Sequence, residues 1–362
     1  MVDVLPDLPN KGRGAVSNRA ARYEPYERVM VDDGWRHEDE AGDGPTVPPT
    51  VVMADSSRSV IARNQSPDVG FDRSINPYRG CEHGCVYCFA RPTHAYLGMS
   101  PGLDFETKIV AKHDAAALLE QELSRPSYRP KVIALGTNTD PYQPLERRLG
   151  ITRQVLEVLQ RCRHPISIVT KSDLVLRDLD ILAPMAERRL VRVMISVTSL
   201  DRHLARKLEP RAPTPSRRLT ALRALNAAGV PAGVLAAPMI PAINDMELEA
   251  ILEACAQAGA ETGGYVLLRL PLEIKDLVIE WLEAHFPDRK ERVLKLVRET
   301  RDGGTYDSTW RRRQVGTGPY AQLLANRFEL ASKRLGLNRE DWEQDTSQFR
   351  KPEGDRRQLS LF

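Results

Sequence analysis

No run of eighteen or more apolar residues occurs anywhere in the 362-residue sequence, and a helix needs about that length to span a bilayer, so no membrane span is expected. Cysteine is scarce: five residues in a chain this long, an odd number, argue against a disulfide framework. Residues 1–16 also lack an apolar stretch of signal-sequence length, and the two absences together lead to the expectation of a reduced, cytoplasmic protein. Net charge is only +3, so any attraction for polyanions must be local. Basic residues do gather locally, at 202–218, where Glu209 is the single acid, and again beyond residue 288. A hydrophobic content of 41% is ample for a full-sized core.

Periodicity is missing from residues 1–70, which are rich in Arg, Asp, Gly and Pro with breakers at Gly42 to Pro45 and at Pro48-Pro49, and are expected to be largely irregular. From about Asp72, short β-branched apolar runs alternate with longer segments of helical period. Strands are predicted near 131–135, 166–170, 191–197, 233–236 and 265–270, each apolar enough for a parallel sheet buried on both faces. Helices are predicted near 151–161, 174–187, 215–228, 245–258 and 272–286, with Asn244 as a cap and Gly229 and Gly259 as stops. With a further strand and helix around the cysteines, this makes about six units, an α/β partial (β/α)6 TIM-type barrel over 71–287. C-terminal helices are expected over 288–337 and a charged, flexible tail over 338–362.

Three of the five cysteines fall within eight residues, Cys81-Glu82-His83-Gly84-Cys85-Val86-Tyr87-Cys88. Close spacing lets one loop present three soft ligands to a shared centre, and three thiolates can fix three irons of a cubane while leaving the fourth open. A zinc site is the main alternative, with His83 or His94 as fourth ligand, but no second ligand cluster appears downstream. Cys162 and Cys255 lie within helical patterns and read as small buried hydrophobes. The Cys-x3-Cys-x-aromatic-Cys pattern resembles the signature of the radical S-adenosylmethionine (SAM) superfamily. That resemblance implies a [4Fe-4S] cluster on Cys81, Cys85 and Cys88, S-adenosyl-L-methionine chelated to the free iron, and its one-electron cleavage to a 5′-deoxyadenosyl radical. It also implies a one-electron donor such as a flavodoxin or ferredoxin.

In a β/α barrel the ligands come from loops at the carboxyl ends of strands. Polar residues stand there in Gly136-Thr137-Asn138-Thr139-Asp140, at Lys171, and at Ser196 and Thr198. Asp140 has the charge to receive an ammonium group, Lys171 that to neutralise a carboxylate, and Ser196 and Thr198 the hydroxyls to reach a ribose; turn and cap roles are as open to each singly. The series is similar to the spore-photolyase-like branch over roughly 76–271, and this likeness implies cofactor contacts at Thr139, Asp140, Lys171 and Ser196, with Tyr87 near the adenine. Two departures matter. Thr137 and Phe89 stand where that branch carries its hydrogen-returning cysteine and second tyrosine, so the likeness implies abstraction without that return route. The superfamily's Gly-Gly-Glu element is replaced by Gly136-Thr137-Asn138.

Arg206 and Arg211 are candidates for a substrate phosphate or for a pair with Glu209, while Tyr265, Arg269 and Pro271 are candidates for the cavity wall, with barrel packing the stronger reading for Tyr265. The terminal Gln358-Leu359-Ser360-Leu361-Phe362 joins two leucines and an aromatic to a charged approach, as in a linear docking motif. It resembles the motif by which bacterial replication and repair proteins bind the DNA sliding clamp; folding back onto the barrel is the alternative. The expected function is radical SAM chemistry on a nucleic-acid substrate in a DNA-repair setting. The alternatives are modification of a tRNA, peptide or small molecule, and a non-catalytic metal-binding module.

Overall fold

The computed structural model describes residues 9–26, 49–339 and 343–352. Among the described residues ten strands form: β1 (Val51–Ala54), β2 (Ile61–Arg63), β3 (Arg73–Ile75), β4 (Tyr78–Arg79), β5 (Lys108–Ala111), β6 (Ile133–Leu135), β7 (Ile166–Thr170), β8 (Val191–Ser196), β9 (Ala232–Met239) and β10 (Thr262–Leu267). The main sheet has the order β10-β9-β8-β7-β6-β3-β2. Six of these strands, β3 and β6 to β10, run parallel in sequence order, while β2 lies antiparallel to β3. The expected partial (β/α)6 barrel is therefore the fold.

Apolar strand residues such as Ile133, Leu135, Ile166, Ile168, Val193, Ile195 and Val234 are fully buried. The Ile151–Arg161 helix covers the sheet with Val155, Leu156, Val158 and Leu159, which recur at helical spacing and are equally buried. Each such side chain stabilises the fold by roughly 1.5–3 kcal/mol. In-register ladders keep the strand ends level, with Ile75 opposite Leu135, Leu135 opposite Ile168, and Ser196 opposite Leu235. The polar residues that follow these strands consequently converge at one end.

A six-stranded barrel leaves an open edge, with unpaired backbone groups that need covering. At β10 the Asn338 side chain both donates to and accepts from Gly263, and Phe328 of the Gly318–Leu335 helix packs on Tyr265 at 5.0 Å between ring centroids. Tyr265 is thus a packing residue of the β10 edge.

Both termini depart from expectation. Within residues 1–70, β1 and β2 are regular strands, and β1 joins β5 and β4 in a separate small sheet. Residues 9–26 have no regular structure, yet Ala15, Val16, Ser17 and Ala21 are buried. The tail expected to be flexible is docked through Pro352. Phe349 packs against Tyr128 and His164, Gln344 donates to Ser167 at 2.6 Å, and the Arg350 amide donates to the Cys162 carbonyl at 2.8 Å. One aromatic and several hydrogen bonds anchor this segment at the ends of the strands away from the converging polar residues. Asn244 also differs: its side chain ties Ile240 N–H to the Thr198 and Pro238 carbonyls instead of capping a helix. Among the described residues no helix is long and apolar enough to cross a membrane.

Candidate active site

The cysteine loop follows β4 and is held from every side. Arg91, fully buried, donates to the Cys85 carbonyl at 2.8 Å, to Gly84 at 3.2 Å, and to Pro101 and Gly102 at 3.0 and 2.9 Å. Its charge is met by the equally buried Glu106, whose carboxylate also accepts the amides of Gly14 and Ala15. On the other flank the Val86 amide donates to Leu208 and the Arg211 amide to His83. Gly14 lies so close that a Cβ there would overlap the Gly84 carbonyl. Residues 9–26, irregular as they are, form the back wall of the loop.

All three thiols line a cavity of about 400 Å³ at the carboxyl ends of the barrel strands. All are free, with Cys81 and Cys85 buried. Burial pushes the Cys81 thiol well above its ordinary value and Cys85 up to about 12, although Lys171 opposes the rise at Cys85. Such thiols ionise when a metal centre supplies positive charge, so loading would release protons. Three free thiols on one rigid loop facing a cavity are a donor set suited to an iron-sulfur cluster. A single ion fits less well: among the described residues no three His, Cys, Asp or Glu side chains come close enough together to hold one. Of the two histidines weighed as zinc ligands, His94 is absent from the cavity lining, its Nε2 3.0 Å from the Lys108 carbonyl, whereas His83 lines the cavity with its Nδ1 3.4 Å from Asp140.

Opposite the cysteines, the cavity is lined by Asn138, Thr139, Asp140, Lys171 and Ser196, with Tyr87 on the loop side. Gly136 makes the turn after β6 at φ +85°, where a Cβ would overlap the Val169 carbonyl. Asp140 accepts from the Thr170 hydroxyl at 2.6 Å and the Lys171 and Tyr142 amides at 2.7 and 2.9 Å. Burial opposes its ionisation, but His83 and these hydrogen bonds outweigh it and hold the carboxyl down to about 2. Lys171 stands 5.9 Å from the Tyr87 ring centroid, and although burial disfavours its charge, Cys85 and Glu209 nearby raise its pKa. A fixed anion and a fixed cation on one wall suit a zwitterion with separate ammonium and carboxylate groups. Thr139 lines the cavity, yet its hydroxyl donates to the Tyr78 carbonyl at 2.8 Å.

Thr198 does not line the cavity with the others. It is fully buried, and its hydroxyl reaches Glu209 and the Ala237 carbonyl. Glu209 is the residue that sequence reasoning misjudged. Its partner is Arg218, not Arg206 or Arg211; both members are buried, and Glu209 also accepts the Tyr87 hydroxyl. Arg218 and Lys171 outweigh burial and hold the Glu209 carboxyl down to about 2. Arg211 pairs with Glu82 at 3.1 Å. Phe89 and Arg269 line the cavity, and the guanidinium lies 4.6 Å from the centroid of the 44% exposed Phe89 ring.

The family model for the radical SAM superfamily matches residues 75–255. An uncharacterized protein of Mycobacterium tuberculosis is 41% identical over 243 residues, covering 66% of this chain and 71% of that protein. One of Methanocaldococcus jannaschii is 26% identical over 219 residues, 60% of this chain and 78% of that one. Among solved structures, a spore photoproduct lyase mutant with bound AdoMet and dinucleoside spore photoproduct superposes with a TM-score of 0.53 at 15% identity, covering 80% of each chain. At that identity the likeness is one of fold.

Proposed function

The chain belongs to the radical SAM superfamily, and from that premise we propose that it acts on a nucleic-acid substrate, with Cys81, Cys85 and Cys88 as ligands of the superfamily's [4Fe-4S] cluster. Bound there together, cluster and S-adenosyl-L-methionine supply a 5′-deoxyadenosyl radical able to take a hydrogen atom from the substrate. The chain's own part is to hold and shield. Lys171 meets the carboxylate of the bound cofactor and Asp140 its ammonium group. Ser196 and Asn138 offer hydroxyl and amide contacts, Tyr87 an aromatic face, and Thr139 supports the loop. Thr198 acts through Glu209, which fixes the Tyr87 phenol.

One observation carries the reading: the cysteine loop opens onto the same cavity as the Asp140 and Lys171 charges. For the substrate, the support is Phe89 with Arg269 above it, a stacked pair at the cavity whose planar face suits a base. Residues 358–362 lie outside the described residues. Their sequence supports docking on a sliding clamp, and hence a cytoplasmic repair setting. Anaerobic loading with iron and sulfide, followed by incubation with deuterated oligonucleotides, is expected to move deuterium into 5′-deoxyadenosine. Failure to form that product would overturn the catalytic reading. Label arriving only from a tRNA, a peptide or a small molecule would replace the substrate. Clamp docking predicts that deleting residues 358–362 abolishes clamp binding in solution and leaves 5′-deoxyadenosine formation unchanged.

A further inference from the structure

A [4Fe-4S] cluster at the cysteines needs an electron from outside, and the proposed function assigns the cavity mouth to substrate. The back of the loop is closed by residues 9–26 and by the Arg91–Leu97 segment. Another wall is formed by the Arg202–Leu208 helix. Its inner side chains Leu204 and Leu208 are buried in one cluster with Cys85, Val86 and Tyr87, and Leu208 accepts the Val86 amide at 3.2 Å. The outer face carries Arg202, His203, Arg206 and Lys207, all exposed. Among the described residues, none of these four forms an ion pair with a carboxylate. Asp201 is occupied as the helix cap and Glu209 is turned inward to Arg218. Arg202, His203 and Arg206 also border a surface hollow of about 340 Å³ against Pro210. The helix is braced from behind, where Trp281 donates to the Lys207 carbonyl at 3.0 Å.

We propose that this face is where an acidic one-electron carrier protein docks to reduce the cluster, an inference that rests on the cysteines being its ligands. One helix diameter, about 10 Å, separates the basic face from the cysteine loop. Electron-carrier encounters use small, weak interfaces, and opposite charge steers them, so a compact basic face on a rigid helix suits such a partner. The step is balanced: one electron leaves the carrier, which is oxidised by one, and enters the cluster, which is reduced by one. No bond forms or breaks.

The test uses the full-length loaded enzyme, a reduced acidic flavodoxin and the double variant Arg202→Glu, Arg206→Glu. Both positions are exposed, so the fold should be unaffected. Arg188→Glu, at the opposite end of the barrel, is the control for a charge reversal away from this face. Stopped-flow bleaching of the cluster by flavodoxin at low salt should slow about tenfold or more in the double variant, and its salt dependence should flatten. Flavodoxin binding measured by interferometry should weaken in parallel, while reduction by dithionite stays at the wild-type rate. Equal loss in Arg188→Glu, or wild-type transfer in the double variant, would overturn the docking face. So would wild-type transfer combined with weaker oligonucleotide binding, which would make the face a phosphate surface. Wild-type protein that takes up no iron and sulfide would overturn the cluster reading and this inference with it.

Discussion

Glu106→Gln should cost a large share of the protein's stability while changing almost nothing in shape. Arg91 is fully buried, and its charge is balanced by Glu106, itself fully buried. The amide side chain keeps one oxygen for Arg91 or Ala15 but turns an N–H toward the Gly14 amide, which then loses its acceptor at 3.0 Å. Arg91 retains its contacts to the Gly84, Cys85, Pro101 and Gly102 carbonyls, all dipoles without a full charge. Removing one partner of a buried pair costs about 3–5 kcal/mol, against a total of about 5–15 for a folded domain. The assay is anaerobic urea unfolding of the unloaded protein followed by fluorescence, with iron content after reconstitution as a second readout. The midpoint should fall sharply and iron uptake with it, because the group that tethers Cys85 and Gly84 has lost its counter-charge. A loss below about 1 kcal/mol with normal iron uptake would refute the argument that this pair holds the cysteine loop.

Other expectations follow from the same geometry. Replacing Cys81, Cys85 or Cys88 singly with Ala should abolish bound iron and the cluster's visible absorbance while leaving circular dichroism unchanged; Cys162→Ala should keep the iron. Gly136→Ala should destabilise by about 2–4 kcal/mol in thermal unfolding, from a left-handed backbone and overlap with Val169, and should weaken SAM binding in equilibrium dialysis. His164, buried beside Tyr128, is held by burial down to about 4, from an ordinary 6.5. The unfolded chain therefore takes up a proton that the folded one refuses. Stability from this group is complete above about pH 6.5 and falls as pH drops toward 4, by up to roughly 3 kcal/mol. His164→Gln should flatten the urea midpoint over that window. Phe89→Ala should raise KM for an oligonucleotide substrate with little change in cofactor binding.

Much of the barrel was legible because each central strand is a short apolar run with a polar break at its carboxyl end, and local pattern alone identifies such units. Boundaries slipped where neighbours decide them: β9 runs through Pro238 to Met239, and the helix predicted from residue 174 begins as a 3-10 turn at Asp173. The cysteines stood out by their spacing within eight residues, and Asp140, Lys171 and Ser196 as polar residues at or after the ends of apolar runs. Glu209 and Arg218 did not, since nothing local distinguishes a buried ion pair from two surface charges in a basic stretch. Thr198 misled because its hydroxyl is taken by Glu209 and the Ala237 carbonyl, neither of which its local sequence announces. The packed segment 9–26 was invisible because its order comes from Glu106 and Gly84, remote in sequence. Phe349 had no neighbours in sequence to announce a core contact.

The cysteine loop is contiguous, yet its supports come from far along the chain: Gly14 is 92 residues before Glu106, and the Leu208 carbonyl that receives the Val86 amide comes later still. A ribosome that has just released Cys88 has made the ligands but not their frame. The loop acquires its shape after residues 202–218 have emerged and the back wall has closed, so metal loading is coupled to late, non-local folding. A nascent or truncated chain lacking that helix would present three protonated thiols on a slack loop, open to oxidation. Cluster insertion thereby reports that the chain through residues 202–218 has folded against the loop.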